Sequence, residues 1–177
     1  MTLYQECIDT PLGELVIQAS NKGLCYVGFD FERKVDATAS AAASATASAT
    51  ASAAASAAAS ANAITAQAKS QLAEYFQGVR SQFDLPLDTK GTEFQCRIWQ
   101  ALGSIAYGET GSYSDIARLV DNPKAVRAVG AANGRNPISI IVPCHRVIGA
   151  NGTLTGYAGG LERKRWLLAF EQGHISK

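Results

Sequence analysis

The residues best suited to covalent chemistry lie in one octapeptide, Ile140-Ile141-Val142-Pro143-Cys144-His145-Arg146-Val147. It places a cysteine directly after an apolar run, and Pro143 removes a backbone donor and fixes the approach of the chain, so the thiol is held rather than loose. His145 and Arg146 supply adjacent proton-accepting and cationic groups, the means by which a thiol that ordinarily titrates near about 8.5 becomes more thiolate-like and more nucleophilic. If the octapeptide is a strand, neighbouring side chains point to opposite faces, and His145 would reach the sulfur through a water. Taken alone, a Cys-His pair is a weak signal, and a structural cysteine is its commoner explanation.

The other thiol chemistries fit less well. Cys7, Cys25, Cys96 and Cys144 are 18, 71 and 48 residues apart with no C-x-x-C pair, which argues against a disulfide framework in a reducing compartment. The only histidines are His145 and His174, so a tetrahedral zinc site around Cys7 and Cys25 would have to recruit carboxylates, and no metal is expected.

The elements that position the octapeptide are readable around it. Upstream, Thr92 with Gln95 forms a capping box for a helix carrying Phe94, Ile98, Leu102 and Ile105, expected to end at Gly108. Ser112 with Asp115 forms a second, before Ile116, Leu119 and Val120. After the break at Asp121-Asn122-Pro123, Asn122 is the expected N-cap and Pro123 the first residue of a third helix running to about Asn133, with Gly134 as its stop. Two short helices joined by a tight break, the second bearing Lys124, Arg127 and then Arg135, read as a helix-turn-helix. Ala125, Ala128, Gly130, Ala131 and Ala132 leave that second helix little bulk, so its backbone could approach a surface as closed as a minor groove; tight core packing is the competing explanation. Downstream, Ile138 to Val142 is an expected buried strand, Asn151-Gly152 a hairpin-type turn, and Leu161 to Glu171 a last helix ending at Gly173.

The N-terminal half has a different texture. Leu3 to Ile8, Glu14 to Ala19 and Leu24 to Phe29 read as an antiparallel meander, and Ile64, Ala68, Leu72, Tyr75 and Phe76 as a helix stopping at Gly78 whose apolar side covers it. Between them, Ala37 to Asn62 holds 16 Ala, 6 Ser, 3 Thr and 1 Asn, with Ser at 40, 44, 48, 52, 56 and 60. That four-residue period drifts by about 40° per step on a helix and makes no apolar stripe, so a solvated helix or a mobile insertion is expected, and its pattern points to no function. The division is therefore residues 1–86, containing the 37–62 insertion, and 87–177, joined through Leu85 to Lys90. Net charge is +1 overall, yet residues 1–86 carry 5 basic and 8 acidic side chains against 11 and 7 in the remainder, the polarity expected if the second half meets a polyanion. No run of about 20 strongly apolar residues and no basic-then-apolar leader is visible, so the expected compartment is the cytoplasm.

Arg127-Ala128-Val129-Gly130, Asn136-Pro137, Pro143-Cys144-His145-Arg146-Val147 and Tyr157-Ala158-Gly159-Gly160-Leu161, in this order and at these separations, resemble the methylated-DNA–protein-cysteine methyltransferases, the O6-alkylguanine-DNA alkyltransferases. The resemblance covers Phe94 to Gly173, extends more weakly to the meander and the helix near Tyr75, and fails across the Ala/Ser tract. It implies a small ribonuclease-H-like α/β domain followed by a mainly helical, winged-helix-like domain. It also implies direct-reversal repair of double-stranded DNA bound in the minor groove, by a monomer that needs no cofactor and is spent after one transfer.

Placed on this sequence, the resemblance makes Cys144 the acceptor of the alkyl group from O6 of guanine, and of O4-methylthymine. His145 would take the thiol proton through a water and Glu171 would orient the imidazole and favour its charged form, a relay related in logic to a hydrolase triad. Tyr113 would hydrogen-bond the base as negative charge develops on it, and Asn136 would brace the turn before Cys144. Backbone groups of Cys144, Val147 and Ala158, beside Tyr157, would read the guanine edge; the family often has Ser where Ala158 stands. Arg127 would fill the gap left by the flipped nucleotide, while Ala128, Gly130, Ala131 and Ala132 on the outer face bring the helix close to the sugars. Lys124, Arg135 and Lys164 would neutralise phosphates. Two readings compete. A damage-sensing helix-turn-helix module would lack the acceptor cysteine that this chain retains, and a thiol hydrolase would place its His far from its Cys in sequence and require an oxyanion hole.

Overall fold

The computed structural model describes residues 2–29 and 61–175. The expectation for the Ala/Ser tract lies outside them except at its end, where Asn62 caps the helix that follows.

Strands β1 (Tyr4–Thr10), β2 (Gly13–Ala19) and β3 (Leu24–Gly28) form an antiparallel meander in the order β1-β2-β3. The β1–β2 turn closes because Thr10 Oγ1 donates to the Gly13 carbonyl at 2.6 Å and accepts from the Leu12 amide at 3.1 Å. Helix α1 (Ala63–Phe76) begins with an Asn62/Thr65 capping box and lays Ala68, Leu72 and Tyr75 over the sheet.

The edge of β3 is not left open. Leu24 bridges Leu87 and Val27 bridges Ile138, both in parallel, with the Val27 amide donating to the Pro137 carbonyl at 2.9 Å and the Ser139 amide to the Val27 carbonyl at 2.8 Å. Both the linker and the segment leading to Cys144 are therefore stitched to the N-terminal sheet, and one hydrophobic core runs from Leu15 through Tyr75 to Phe170. An aromatic seam joins the halves: Trp166 and Phe170, one turn apart, stack at 4.9 Å, and Tyr75 meets Phe170 edge-on at 5.7 Å.

Helix α2 (Glu93–Leu102) starts at the Thr92/Gln95 capping box but ends at Gly103, earlier than the expected Gly108; Ile105 is buried from the loop instead. The two-residue strand β4 (Gly111–Ser112) pairs in parallel with β5 (Val147–Ile148) and leads into α3 (Tyr113–Leu119) through the Ser112/Asp115 capping box. Helix α4 (Val126–Gly134) starts later than expected: Ala125 holds the cap position with no side-chain hydrogen bond. Asn122 instead opens a turn in which the Ala125 amide donates to its carbonyl at 3.0 Å. Asn then Pro suits the first two positions of such a turn as well as it suits a helix start, and the turn is what joins α3 to α4.

The expected Ile138–Val142 strand is not formed. Apart from the bridge at Ile138 the chain turns, with the Val142 amide donating to the Ile138 carbonyl at 3.0 Å and Ile140 held at φ +71. A left-handed β-branched residue costs about 1–3 kcal/mol, tolerated here inside a buried segment that other side chains hold in place. Cys144–Arg146 is one turn of 3-10 helix rather than extended strand. Around Asn151-Gly152 the chain turns as expected, the Gly149 amide reaching the Thr153 carbonyl at 2.8 Å, although only β5 flanks it. Helix α5 (Leu161–Glu171) matches its expected limits. Among the described residues no helix is long and apolar enough to cross a membrane, and no group of three or more His, Cys, Asp or Glu gathers as a metal site.

Candidate active site

The 3-10 turn buries all three of its residues: Cys144 is 3% exposed, His145 0% and Arg146 6%. Asn136 holds the approach to the turn. Its Nδ2 donates to the Val142 carbonyl at 2.8 Å and the Ile138 carbonyl at 3.2 Å, and its Oδ1 accepts from the Ile138 amide at 3.0 Å. Asn133 on α4 reaches the Cys144 carbonyl at 3.3 Å, tying the turn directly to the helix-turn-helix. The sequence reading did not single out Asn133; its only signal is an amide on the apolar face of α4 between Val129 and Asn136.

Glu171, at the end of α5, is the hub. Its Oε1 accepts from His145 Nε2 at 2.8 Å, Tyr75 Oη at 2.7 Å and Arg146 Nη2 at 3.0 Å, and its Oε2 from Arg146 Nε at 2.8 Å and the Gly108 amide at 3.2 Å. Gly108, at φ +78, lets the loop after α2 come this close: a Cβ there would stand 3.1 Å from the Glu171 carbonyl oxygen. Burial pushes the Glu171 carboxyl up, but the hydrogen bond from His145 and then the hydrogen bonds and charge of Arg146 outweigh it and hold the group at about 2. Burial lowers His145 in the opposite sense, Glu171 opposing the shift, so the imidazole rests neutral and Arg146 supplies the charge facing the carboxylate. With Nε2 turned to Glu171, the other ring nitrogen, Nδ1, is buried and has no hydrogen-bond partner among the described residues. Nδ1 is thus the atom able to take a proton.

The sequence reading reached Cys144, His145 and Glu171 but assigned no part to Tyr75 or Gly108, and gave Arg146 none in the relay. Tyr75 had a signal: a tyrosine on the apolar face of a helix needs a partner for its hydroxyl.

Around the turn, Tyr113 Oη donates to the Thr155 carbonyl at 2.8 Å, and burial pushes its phenol up, keeping it a donor. The Val147 amide donates to the Cys144 carbonyl, and the Val147 carbonyl accepts from Lys164 Nζ at 2.5 Å. Tyr157 is buried and Ala158 exposed, on a loop where a Cβ at Gly159 would come within 2.7 Å of the Tyr157 ring. Lys164 corrects an expectation. It is 0% exposed, donates to Val147 and Thr155 carbonyls, and cannot neutralise a phosphate from there. Burial lowers its ammonium to about 8, Cys144 pulling the other way. The signal was its spacing: 164, 167, 168 and 171 form the buried stripe of α5.

On α4 and the turn before it, Lys124, Arg127, Ala128, Ala131 and Arg135 are exposed and lie at helical spacing along one face. Gly130 is half-buried beside Tyr113, and Ala132, expected on the outer face, packs inward, its carbonyl accepting from Trp99 Nε1 at 2.9 Å.

A buried cysteine with a neutral histidine and a fixed carboxylate, set behind a helix-turn-helix with a basic, small-residue outer face, is the arrangement of a DNA-directed thiol group-transfer protein. The comparisons agree on both halves. Residues 3–89 match the family model of the 6-O-methylguanine DNA methyltransferase ribonuclease-like domain, and residues 93–173 that of its DNA binding domain. A Methanosarcina acetivorans methylated-DNA–protein-cysteine methyltransferase is 43% identical over 96% of this chain and 98% of its own. The constitutive one of Bacillus subtilis is 45% identical over 96% and 95%. The crystal structure of Mycobacterium tuberculosis OGT in complex with DNA superposes with a TM-score of 0.76 at 40% identity, over 99% of this chain and 95% of that one. The chain belongs to the methylated-DNA–protein-cysteine methyltransferase family, proteins of alkyl-transfer DNA repair.

Proposed function

We propose that Cys144 is the alkyl acceptor and that each chain repairs one lesion. The Sγ–carbon bond forms in line as the carbon–O6 bond of the guanine breaks, and the electron pair departs on the base. The thiol proton passes through a water to His145 Nδ1, and the base recovers one proton, so the exchange balances as thioether and unmodified guanine. O4-methylthymine presents an analogous leaving group, the O4 oxygen of a thymine anion that likewise recovers one proton. Nothing in the reaction calls for a cofactor.

The observation that carries this reading is the state of His145. Nε2 is committed to Glu171 and Nδ1 has no partner among the described residues, one residue from a buried cysteine. Tyr113 exchanges its Thr155 partner for the base and opposes the charge that develops there, a role its protonated phenol suits. Asn136 keeps the turn in place. The second lone pair of the Val147 carbonyl, with the backbone of Cys144 and Ala158 beside Tyr157, reads the guanine edge.

A thiol this buried reaches its target only if the nucleotide leaves the duplex, at a cost of a few kcal/mol. Double-stranded DNA is taken from its minor groove by α4: Ala128, Gly130 and Ala131 admit the sugars, Arg127 occupies the vacated stack, and Lys124 and Arg135 meet phosphates. The protein acts as a monomer in the cytoplasm, with residues 1–86 as the α/β unit and 87–177 as the DNA-binding and acceptor unit. The test is intact-protein mass after mixing with an oligonucleotide containing one O6-methylguanine, beside Cys144→Ser. One added methyl per chain, absent from the variant, is expected. Lesion-selective binding without a mass change would instead assign a damage sensor.

A further inference from the structure

The two halves of the chain meet at the relay itself. Of the five hydrogen bonds that reach the Glu171 carboxylate, four come from the C-terminal half and one, from Tyr75 Oη at 2.7 Å, comes from α1, 96 residues away in sequence. Tyr75 is 0% exposed and its ring is packed by Phe76, Phe83, Tyr107 and Phe170, with centroids 5.2 to 6.1 Å away. The ring is therefore core, but the hydroxyl is not needed for that packing, and it is aimed at Oε1, the same oxygen that receives His145 Nε2.

We propose that Tyr75 is a positioning residue of the alkyl-transfer site, a phenol supplied by the N-terminal half that holds Oε1 of Glu171 against His145 and draws charge off that oxygen. The inference rests on Cys144, His145 and Glu171 acting as the relay described above. A bare carboxylate bonded to Nε2 would strengthen the basicity of Nδ1 and favour a charged imidazole at rest, which cannot accept the Cys144 proton. Arg146 Nη2 already donates to Oε1, and the phenol, a further donor on the same oxygen, spreads that negative charge more, leaving His145 oriented by Glu171 but neutral. Burial and the adjacent Glu171 both push the Tyr75 phenol up, so toward the carboxylate it can only donate. The other groups facing this centre are Arg146 on the 3-10 turn, Tyr107 on the loop after α2, Lys164 on α5 and Cys144 itself. Removing one hydroxyl leaves all of them in place.

The test uses the full chain in single-turnover transfer from an O6-methylguanine oligonucleotide between pH 5 and 9, with DNA affinity measured in the Cys144→Ser background and stability by thermal unfolding. Tyr75→Phe is expected to keep DNA affinity, to slow transfer about tenfold at neutral pH, the weight of one buried hydrogen bond, and to move the rising acid limb of the rate profile to higher pH. 3-Fluorotyrosine at position 75 keeps the ring packing and is a stronger donor; it is expected to move that limb to lower pH, and it serves if the Phe variant folds poorly. A rate and limb equal to wild type in both variants, or a slower rate with the limb unmoved, would overturn the proposal and leave Tyr75 a packing residue. Wild-type protein that transfers no methyl, or a Cys144→Ser variant that still does, would instead refute the relay on which the inference rests.

Discussion

Glu171→Gln isolates the buried hub, and its cost can be worked from the hydrogen bonds. Oε1 faces three donors and Oε2 two, and both oxygens receive a nitrogen of Arg146. Whichever way the glutamine amide is turned, its NH2 meets at least one Arg146 N–H, and the guanidinium, 6% exposed, loses its counter-charge. Breaking a buried pair by removing one partner costs about 3–5 kcal/mol. The same contacts seen through the titration give a similar size: moving a buried carboxyl from 4.5 to about 2 corresponds to about 3 kcal/mol in favour of the ionised folded state.

The sign follows from the depressed folded value. The stabilisation is fully present above 4.5 and is lost as pH falls toward about 2, because the unfolded chain takes up the proton first. Glutamine has no such dependence. Urea unfolding of wild type and Glu171→Gln should therefore differ by about 3 kcal/mol at pH 7, a melting temperature lower by roughly 10 °C, and the difference should shrink as both are titrated from pH 5 toward pH 3. A variant within about 1 kcal/mol of wild type at pH 7, or a gap that stays constant on acidification, would refute the reasoning.

Asn136→Ala removes three hydrogen bonds beside the strained Ile140, taking the buried Ile138 amide's acceptor and leaving the Ile138 and Val142 carbonyls with one backbone donor each, so unfolding free energy should fall by about 2–3 kcal/mol and methyl transfer should slow; a loss under about 0.5 kcal/mol would contradict the bracing role. On α4, Lys124→Ala and Arg135→Ala should each reduce the slope of log affinity against log salt by about 1 for lesion-containing and undamaged DNA alike. Arg127→Ala should instead slow transfer from duplex DNA much more than from single strands, where no stack needs refilling; equal losses on both substrates would count against it.

What could be read from the sequence was local chemistry. The Thr92/Gln95 and Ser112/Asp115 capping boxes and the limits of α5 depend on neighbours three or four residues away, and the structure has them where expected. The Cys144–His145–Glu171 connection came from the family resemblance, and the structure brings the last two within 2.8 Å. What could not be read depended on distant partners. Ile138 to Val142 carries the β-branched composition of a strand, but the amide of Asn136 supplies the bonds a neighbouring strand would have supplied, and the chain turns. Lys164 carries the charge of a surface cation, but its place on the buried stripe of α5 turns its ammonium to backbone carbonyls.

One carboxylate carries both the stability of the fold and the geometry of the site. Glu171 stabilises the fold because five donors converge on it, and the same five fix where Oε1 points, so neither property can be altered without the other. That coupling explains why Arg146 belongs to the site although no step of the transfer passes through it: its positive charge keeps Glu171 ionised beside a neutral histidine in a buried pocket. A carboxylate without that partner would take up a proton as its cheapest escape from burial, and His145 would lose the acceptor that keeps Nδ1 free. The adjacency of Arg146 to His145 in the sequence thus serves the cysteine indirectly, through the carboxylate both residues share.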